Sequence, residues 1–107
     1  MGLTENWVDA GADADLAEGT IVVVGDPADP VAVARGGGRL YAFDDTCTHE
    51  ECPLSDGSVT DGEVECPCHG SIFAMRTGEA LTGPALESIR TYKVRVEDGR
   101  IQVLIDR

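Results

Sequence analysis

The feature that most constrains this chain is a pair of short motifs that contain both of its histidines and three of its four cysteines. The first motif is Cys47-Thr48-His49 and the second is Cys66-Pro67-Cys68-His69, with residues 50–65 between them. Glycine and proline are frequent around both motifs, which is typical of tight loops. We therefore predict two hairpin-like loops that converge on one centre, each supplying one thiolate and one imidazole.

Two kinds of metal centre accept such donors. Mononuclear zinc binds two sulfur and two nitrogen ligands, but zinc-finger spacing pairs cysteine with cysteine and histidine with histidine. Here each motif pairs a cysteine with a histidine, so two cysteines can hold one iron of a [2Fe-2S] core while two histidines hold the other. The pattern favours this cluster over zinc, with Cys47, His49, Cys66 and His69 as its ligands.

Outside the motifs the chain consists of short apolar runs separated by turn residues, without an amphipathic helix. Asp98-Gly99 predicts a hairpin turn, because both central positions of such a turn need positive φ. Residues 12–18 suit a helical turn at most. Apolar periodicity weakens between about 44 and 84, which predicts a loop-rich subdomain inserted into one all-β, antiparallel domain of 107 residues. The predicted strands cover residues 6–9, 20–24, 31–34, 39–43, 91–96 and 101–105.

Twenty acidic residues against eight basic ones give a formal net charge of -12. This charge disfavours binding to nucleic acid and to anionic membranes, because both are negatively charged. It would steer a basic protein partner towards the molecule, or it would simply keep the protein soluble. Neither a leader peptide nor an apolar run of membrane-spanning length is visible. We expect the cytoplasm, where cysteines more often serve metal or redox chemistry than disulfide frameworks.

The motifs Cys47-Thr48-His49 and Cys66-Pro67-Cys68-His69-Gly70-Ser71 resemble the two cluster-binding boxes of Rieske proteins. Gly83-Pro84-Ala85 is similar to the proline loop that covers the cluster in that family. Residues 71–78 resemble the Rieske ferredoxins that serve bacterial oxygenases. The resemblance extends over nearly the whole chain, and it implies an antiparallel β-sandwich base with the cluster at one tip.

The same resemblance implies a one-electron carrier that is not itself an enzyme. A flavin-dependent reductase would donate the electrons and a terminal oxygenase would accept them. A Rieske non-haem iron dioxygenase is the first candidate for the acceptor, and a haem-thiolate monooxygenase is another. Close relatives are expected to work as monomers. The chain cannot be such an oxygenase itself, because a mononuclear iron site needs further histidines.

Cys52 and Cys68 occupy the positions that form a disulfide between the two loops in Rieske proteins of respiratory and photosynthetic cytochrome complexes. Many oxygenase ferredoxins lack this pair, and a cytosolic setting disfavours disulfides in general. A bond shielded between two loops could nevertheless resist reduction. We expect the disulfide rather than two free thiols, and we expect neither sulfur to bind iron.

Residues near the motifs should set the reduction potential within the roughly -150 to +300 mV of clusters with histidine ligands. Ser71 could donate its hydroxyl to a bridging sulfide, whereas Phe73 stands where high-potential relatives have a donating tyrosine. Acidic residues in the same segment should lower the potential, and they would form either a docking rim for basic partners or a solvated surface. We predict a low to intermediate potential. The acids are Glu50, Glu51, Asp56, Asp61, Glu63 and Glu65.

Other functions stay open at this point. A regulatory or cluster-assembly-associated Rieske protein would use Cys52 and Cys68 as a redox-active pair. A subunit of an assimilatory nitrite reductase would share the fold, but such subunits usually lack the four ligands. A subunit of a membrane cytochrome complex would carry an N-terminal anchor, which this sequence does not show.

Overall fold

The computed structural model describes residues 6–48, 52–68, 70–83, 85 and 87–105. These ranges contain two 3₁₀ turns, Asp13–Asp15 and Leu54–Asp56, and no α-helix. Among the described residues, accordingly, no helix is long and apolar enough to cross a membrane. The strands are β1 (Trp7–Ala12), β2 (Ile21–Val24), β3 (Val31–Gly36), β4 (Arg39–Asp44), β5 (Ser58–Thr60), β6 (Glu63–Glu65), β7 (Ile72–Ala74), β8 (Ala80–Thr82), β9 (Thr91–Tyr92), β10 (Val94–Glu97) and β11 (Arg100–Leu104).

Antiparallel pairing assembles these strands into three sheets, which confirms the predicted all-β class. The first sheet has the order β1-β11-β10, the second β2-β3-β4-β9 and the third β5-β6-β7-β8. The predicted hairpin turn between β10 and β11 is also confirmed: Asp98 has a φ of 52° and Gly99 a φ of 76°. The predicted helical turn within 12–18 is the single 3₁₀ turn Asp13–Asp15.

Strand β3 lies at the centre of the molecule, because its residues 31–34 are fully buried. Val31 and Val33 pack into a core with side chains of β11. Successive side chains of a strand alternate between its faces, so Ala32 and Ala34 lie on the opposite face, where they join a core with Phe73 of β7. The second sheet is therefore the middle layer, with the first sheet on one face and the third sheet on the other.

The last residue of β3, Gly36, approaches the third sheet closely. A Cβ atom at this position would lie 1.8 Å from the carbonyl oxygen of Asp61, which belongs to the turn between β5 and β6. Only a residue without a side chain permits this approach. The contact seats the third sheet against the middle layer.

The region 44–84, predicted to be rich in loops, also contains the whole third sheet. Each strand of this sheet has three residues; in β6, for example, Val64 is buried between the exposed Glu63 and Glu65. A run this short contains too little alternation to be recognised from sequence. The first cysteine motif follows β4 and the second lies between β6 and β7, so the sheets determine the positions of the cysteines.

Candidate metal centre

Paired backbone brings the two ends of the first cysteine loop together. Cys47 follows β4, and its amide donates a hydrogen bond to the carbonyl oxygen of Cys52 at 3.0 Å. The residues that flank this pair, Thr46 before Cys47 and Pro53 after Cys52, form an isolated antiparallel bridge. The side chains of Cys47 and Cys52 are both buried. The stem of the loop thus holds Cys47 at a fixed place below the surface.

Asp45 reinforces this stem with a buried carboxylate. The carboxylate accepts hydrogen bonds from the amide of Ser55 at 2.7 Å and from the hydroxyl of Ser55 at 2.9 Å. Burial raises the pKa of Asp45, and the two hydrogen bonds from Ser55 oppose that rise. Nothing in the sequence marks this role, because Asp45 is one of 20 acidic residues.

The second cysteine loop stands at the end of the β6–β7 hairpin. The amide of Cys66 donates to the carbonyl oxygen of Ser71 at 2.7 Å, and the amide of Gly70 donates to the carbonyl oxygen of Cys66 at 3.1 Å. Gly70 has a φ of 76°, a left-handed conformation that glycine adopts without strain. This backbone pairing holds Cys66 in a buried position.

A disulfide between Cys52 and Cys68 joins the two loops, with 6.5 Å between the Cα atoms. The Sγ atom of Cys66 lies within 4.8 Å of both disulfide sulfurs. Cys47 and Cys66 stay outside this bond and are buried, whereas Cys68 is exposed. The disulfide therefore leaves two cysteine sulfurs available as metal ligands, one from each loop.

A third segment is tied to both loops through Ala85 and Glu87. The amide of Ala85 donates to the hydroxyl oxygen of the fully buried Ser71 at 3.0 Å. The hydroxyl of Thr48 donates to the carbonyl oxygen of Glu87 at 2.7 Å. Because Ser71 belongs to the second loop and Thr48 to the first, the segment connects them. The contact between Thr48 and Glu87 has no signal in the sequence.

The described residues include some of the predicted site residues and not others. Cys47 and Cys66 are described above, whereas His49, His69 and Pro84 lie outside the described residues. Phe73 is fully buried in the core and acts as a packing residue. Of the six predicted acids, Glu50 and Glu51 also lie outside the described residues; the other four, Asp56, Asp61, Glu63 and Glu65, are exposed.

The donor chemistry fits a cluster with mixed ligands. An all-cysteine [2Fe-2S] cluster needs four thiolates, and the disulfide leaves two of the four cysteines for this purpose. The two histidines of the chain closely follow these two cysteines in sequence, at positions 49 and 69, and would complete a set of four donors. Two sulfur and two nitrogen donors form the ligand set of a [2Fe-2S] centre in which histidine replaces cysteine on one iron.

Known proteins are similar to this chain in sequence and in fold. The family model for the Rieske [2Fe-2S] domain matches residues 6–93. A ferredoxin component of naphthalene 1,2-dioxygenase/salicylate 5-hydroxylase systems from Ralstonia sp. is 36% identical over 104 residues, which covers 97% of this chain and 100% of the relative. The solved ferredoxin of carbazole 1,9a-dioxygenase from Nocardioides aromaticivorans IC177 has a TM-score of 0.87 at 30% identity, covering 94% of this chain and 98% of its own. A chain in a solved complex of reduced oxygenase and oxidized ferredoxin in carbazole 1,9a-dioxygenase also has a TM-score of 0.87, at 36% identity and 92% coverage of both chains.

The three-sheet fold, with two buried cysteines outside the disulfide that joins their loops, is that of an iron–sulfur protein. The chain belongs to the Rieske [2Fe-2S] domain family. It carries one [2Fe-2S] cluster and transfers electrons, and its relatives are ferredoxin components rather than catalytic enzymes. The predicted family, cofactor and carrier function are confirmed by these similarities.

Proposed function

We propose that this protein is the ferredoxin of a multicomponent oxygenase system. It passes single electrons from a flavin-dependent reductase to a terminal oxygenase, most simply a Rieske non-haem iron dioxygenase. The observation that carries this proposal is the similarity, over the full length of the relative, to a ferredoxin component of aromatic dioxygenase systems. The similar chain in a complex of oxygenase and ferredoxin supports the same acceptor.

In this proposal, Cys47 and Cys66 hold one iron while His49 and His69 hold the other. The bound cluster supplies one-electron chemistry at a potential above that of all-cysteine clusters. The burial of both cysteines keeps their sulfurs away from water, and the disulfide keeps the two loops at a constant separation. Cys52 and Cys68 are not ligands, because their sulfurs are bonded to each other.

Ser71 is proposed to tune the potential. Its hydroxyl oxygen accepts a hydrogen bond from Ala85, which leaves the O–H proton to donate. Donation of this proton to the bound cluster would stabilise the reduced form and raise the potential. Phe73 adds no second donor, and exposed carboxylates such as Glu65 oppose the added electron. From these opposing effects we expect a reduction potential in the low to intermediate part of the range of clusters with histidine ligands.

The exposed acids are proposed to form the docking rim for basic patches on the reductase and the oxygenase. We propose further that the protein works in the cytoplasm as a monomer, without nucleic-acid or membrane partners. Its form in this proposal is a single domain, residues 1–107, with the cluster-binding subdomain at about 44–84. The net charge of -12 supports attraction to basic partners and opposes binding to nucleic acid.

A redox titration followed by electron paramagnetic resonance tests this function. We expect a Rieske-type signal with a midpoint near the bottom of the roughly -150 to +300 mV range. Ser71→Ala should lower the midpoint and keep the signal, because the cluster loses a hydrogen-bond donor. Thr60→Ala, which removes an exposed hydroxyl at the end of β5, is the matched control and should leave the midpoint unchanged. A clearly positive midpoint would instead indicate a quinol-linked or sensory protein.

A second candidate function, a regulatory or assembly-associated Rieske protein, is favoured by the exposure of Cys68, because a disulfide with one exposed cysteine is easier for thiol reductants to approach than a fully buried one. The two candidates differ in what happens when the Cys52–Cys68 bond is reduced. A simple carrier keeps its midpoint and its affinity for the oxygenase, whereas a regulatory protein changes one of them. Thiol counting before and after anaerobic dithiothreitol treatment, followed by the redox titration, distinguishes the two.

A further inference from the structure

A basic groove lies away from the cysteine loops. This open groove of about 640 Å³ is formed by β4, by β9 and β10, and by the turn that follows β7. Four of the eight basic residues line it, namely Arg35, Arg39, Arg76 and Arg95, although the net charge of the chain is -12. Asp13 is the one acid among its lining residues, and it is already paired with Arg35. A need for solubility does not explain why the few cations gather in one concavity.

Two of the four guanidinium groups are engaged within the molecule. Arg35 donates to the carbonyl oxygen of Asp13 at 3.0 Å and to the carboxylate of the same residue. Arg95 lies over the ring of Trp7, 3.8 Å from the centroid, and 3.7 Å from a carboxylate oxygen of Glu97. These contacts hold Arg35 and Arg95 in place as walls of the groove.

Arg39 and Arg76 differ from that pair. Both are exposed, and within the described part of the chain neither forms an ion pair or a side-chain hydrogen bond. Arg39 begins β4 in the second sheet, and Arg76 follows β7 in the third sheet. Two cations without internal partners that line one concave surface make it attractive to carboxylates.

A strand edge borders the same groove. Strand β9 pairs with β4 only at Ala42 and Phe43, and the chain then leaves the second sheet to form β10, which pairs with β11. On the side of β4 away from β3, residues 39–41 consequently have no strand partner among the described residues. A free edge of this kind accepts an extended chain as an additional strand.

The shape of the groove favours a protein segment over a small molecule. Small-molecule sites enclose most of the ligand surface, whereas this groove is open to solvent. We propose that it docks an extended acidic segment of a partner protein, with carboxylates against Arg39 and Arg76 and the segment backbone along the free edge of β4.

This docking surface is separate from the metal centre. Strand β4 runs from Arg39 in the groove to Asp44, shortly before Cys47, and β7 runs from the end of the second cysteine loop to the turn that contains Arg76. Arg39 and Arg76 therefore lie at the ends of these two strands that are opposite the cysteine loops. A segment docked in the groove leaves the cluster face accessible, and the proposal holds whichever partner exchanges electrons there.

The test is a titration of the intact, cluster-containing protein with a dye-labelled Glu-Val-Glu-Val-Glu-Val peptide, read by fluorescence anisotropy. We expect binding that weakens as salt is added, because exposed ion pairs are screened. The double variant Arg39→Gln/Arg76→Gln should weaken binding about tenfold. The matched control, Lys93→Gln/Arg100→Gln, removes the same charge from exposed residues outside the groove and should bind like the parent protein.

Four outcomes would overturn the proposal. Equal weakening in both double variants would assign the loss of binding to the change in net charge, and equal binding of an uncharged Gln-Val-Gln-Val-Gln-Val peptide would remove charge complementarity. Displacement of the peptide by millimolar glutamate or inorganic phosphate would indicate a small-anion site. If the double variant loses its cluster absorbance, Arg76→Gln alone is measured, and unchanged affinity in that variant also contradicts the proposal.

Discussion

The two faces of β3 border two regions that are held together in different ways. On the face of Val31 and Val33, the first sheet packs on the second through an aliphatic core; we call this region the base. On the face of Ala32 and Ala34, the core contains Phe73 together with the buried cysteines. We call this region the cluster layer. It comprises the third sheet, the two cysteine loops, and the residues Ala85 and Glu87 that are hydrogen-bonded to those loops.

Both regions contain side-chain bonds between segments, such as those from Arg35 to Asp13 and Leu16 beside the base, but in the cluster layer such bonds include a disulfide and tie the loops that hold the cysteines. Among the described residues there, four contacts made through side chains join stretches of chain that do not pair as strands, and three of the four involve a buried residue. Burial of aliphatic surface suffices to stack two sheets, whereas loops with few apolar side chains need such directional bonds to reach one arrangement. The four contacts are Cys52–Cys68, Asp45–Ser55, Ser71–Ala85 and Thr48–Glu87.

Replacement of one proposed ligand should give the largest difference between the two regions, because the cluster should be lost while the base stays folded. Cys66→Ala should abolish the visible absorbance and the paramagnetic signal of the cluster, because alanine offers iron no donor atom in place of the thiolate. The circular dichroism of the β-sheets should persist, since the aliphatic core of the base is untouched. A retained cluster signal would contradict the assignment of Cys66, and a loss of all sheet structure would contradict the independence of the base.

Removal of one large core side chain from each region sharpens the comparison. Phe73→Ala in the cluster layer should lower the free energy of unfolding by about 3–5 kcal/mol, and Ile101→Ala in the base by about 2–5 kcal/mol. Both residues are fully buried. Only Phe73→Ala should also speed the loss of the cluster to a chelator, followed by absorbance. Equal rates of cluster loss in the two variants would show that the regions unfold as one unit.

The two regions also differ in how far sequence predicts them. The alternation of residues 101–105 and the Asp98-Gly99 turn predict the hairpin of the base, because a strand with one buried face repeats every two residues. Val96 continues the apolar alternation of β10 but is 47% exposed, since it lies at the turn end of the strand and lines the basic groove. The two-residue alternation of apolar side chains alone does not show which end of a strand is packed against another sheet and which is exposed to solvent.

The cluster layer is predicted by its motifs rather than by periodicity. Cysteine and histidine spacing indicates the donor chemistry, while three-residue strands such as β6 give no readable alternation. The Asp45–Ser55 and Thr48–Glu87 contacts depend on segments that meet only in the folded molecule. No local pattern records such contacts, which is why they are missing from the sequence prediction.

Removal of the disulfide tests whether the other bonds of the cluster layer are enough to hold the two cysteine loops in place. The double variant Cys52→Ser/Cys68→Ser should retain the cluster, because neither sulfur is a proposed ligand. It should lose about 3 kcal/mol in the free energy of unfolding, as the loop-entropy model gives for a loop of this length, since the bond joins residues 16 positions apart. Urea unfolding followed by circular dichroism measures the change. An unchanged unfolding free energy would mean that the remaining hydrogen bonds fix the loops unaided.

The smallest effect is expected from an exposed ion pair of the base. Arg100 donates to the carboxylate of Asp9 at 2.8 and 3.1 Å, across β1 and β11, and both residues are exposed. Because exposed pairs are screened and cost side-chain entropy, Asp9→Asn should leave the melting temperature at neutral pH and physiological salt nearly unchanged. A large drop there would show that the base, like the cluster layer, relies on directional bonds.

The pH dependence of this pair has a definite sign. The hydrogen bond from Arg100 lowers the pKa of Asp9 from its ordinary value of 3.8. Any stability that the pair adds is therefore fully present above 3.8 and is lost as the pH falls through the lowered pKa. Melting curves of the parent protein and of Asp9→Asn should differ most at neutral pH in low salt and converge in acid. A difference that grows towards acid pH would mean that Asp9 stabilises the first sheet by something other than its charge.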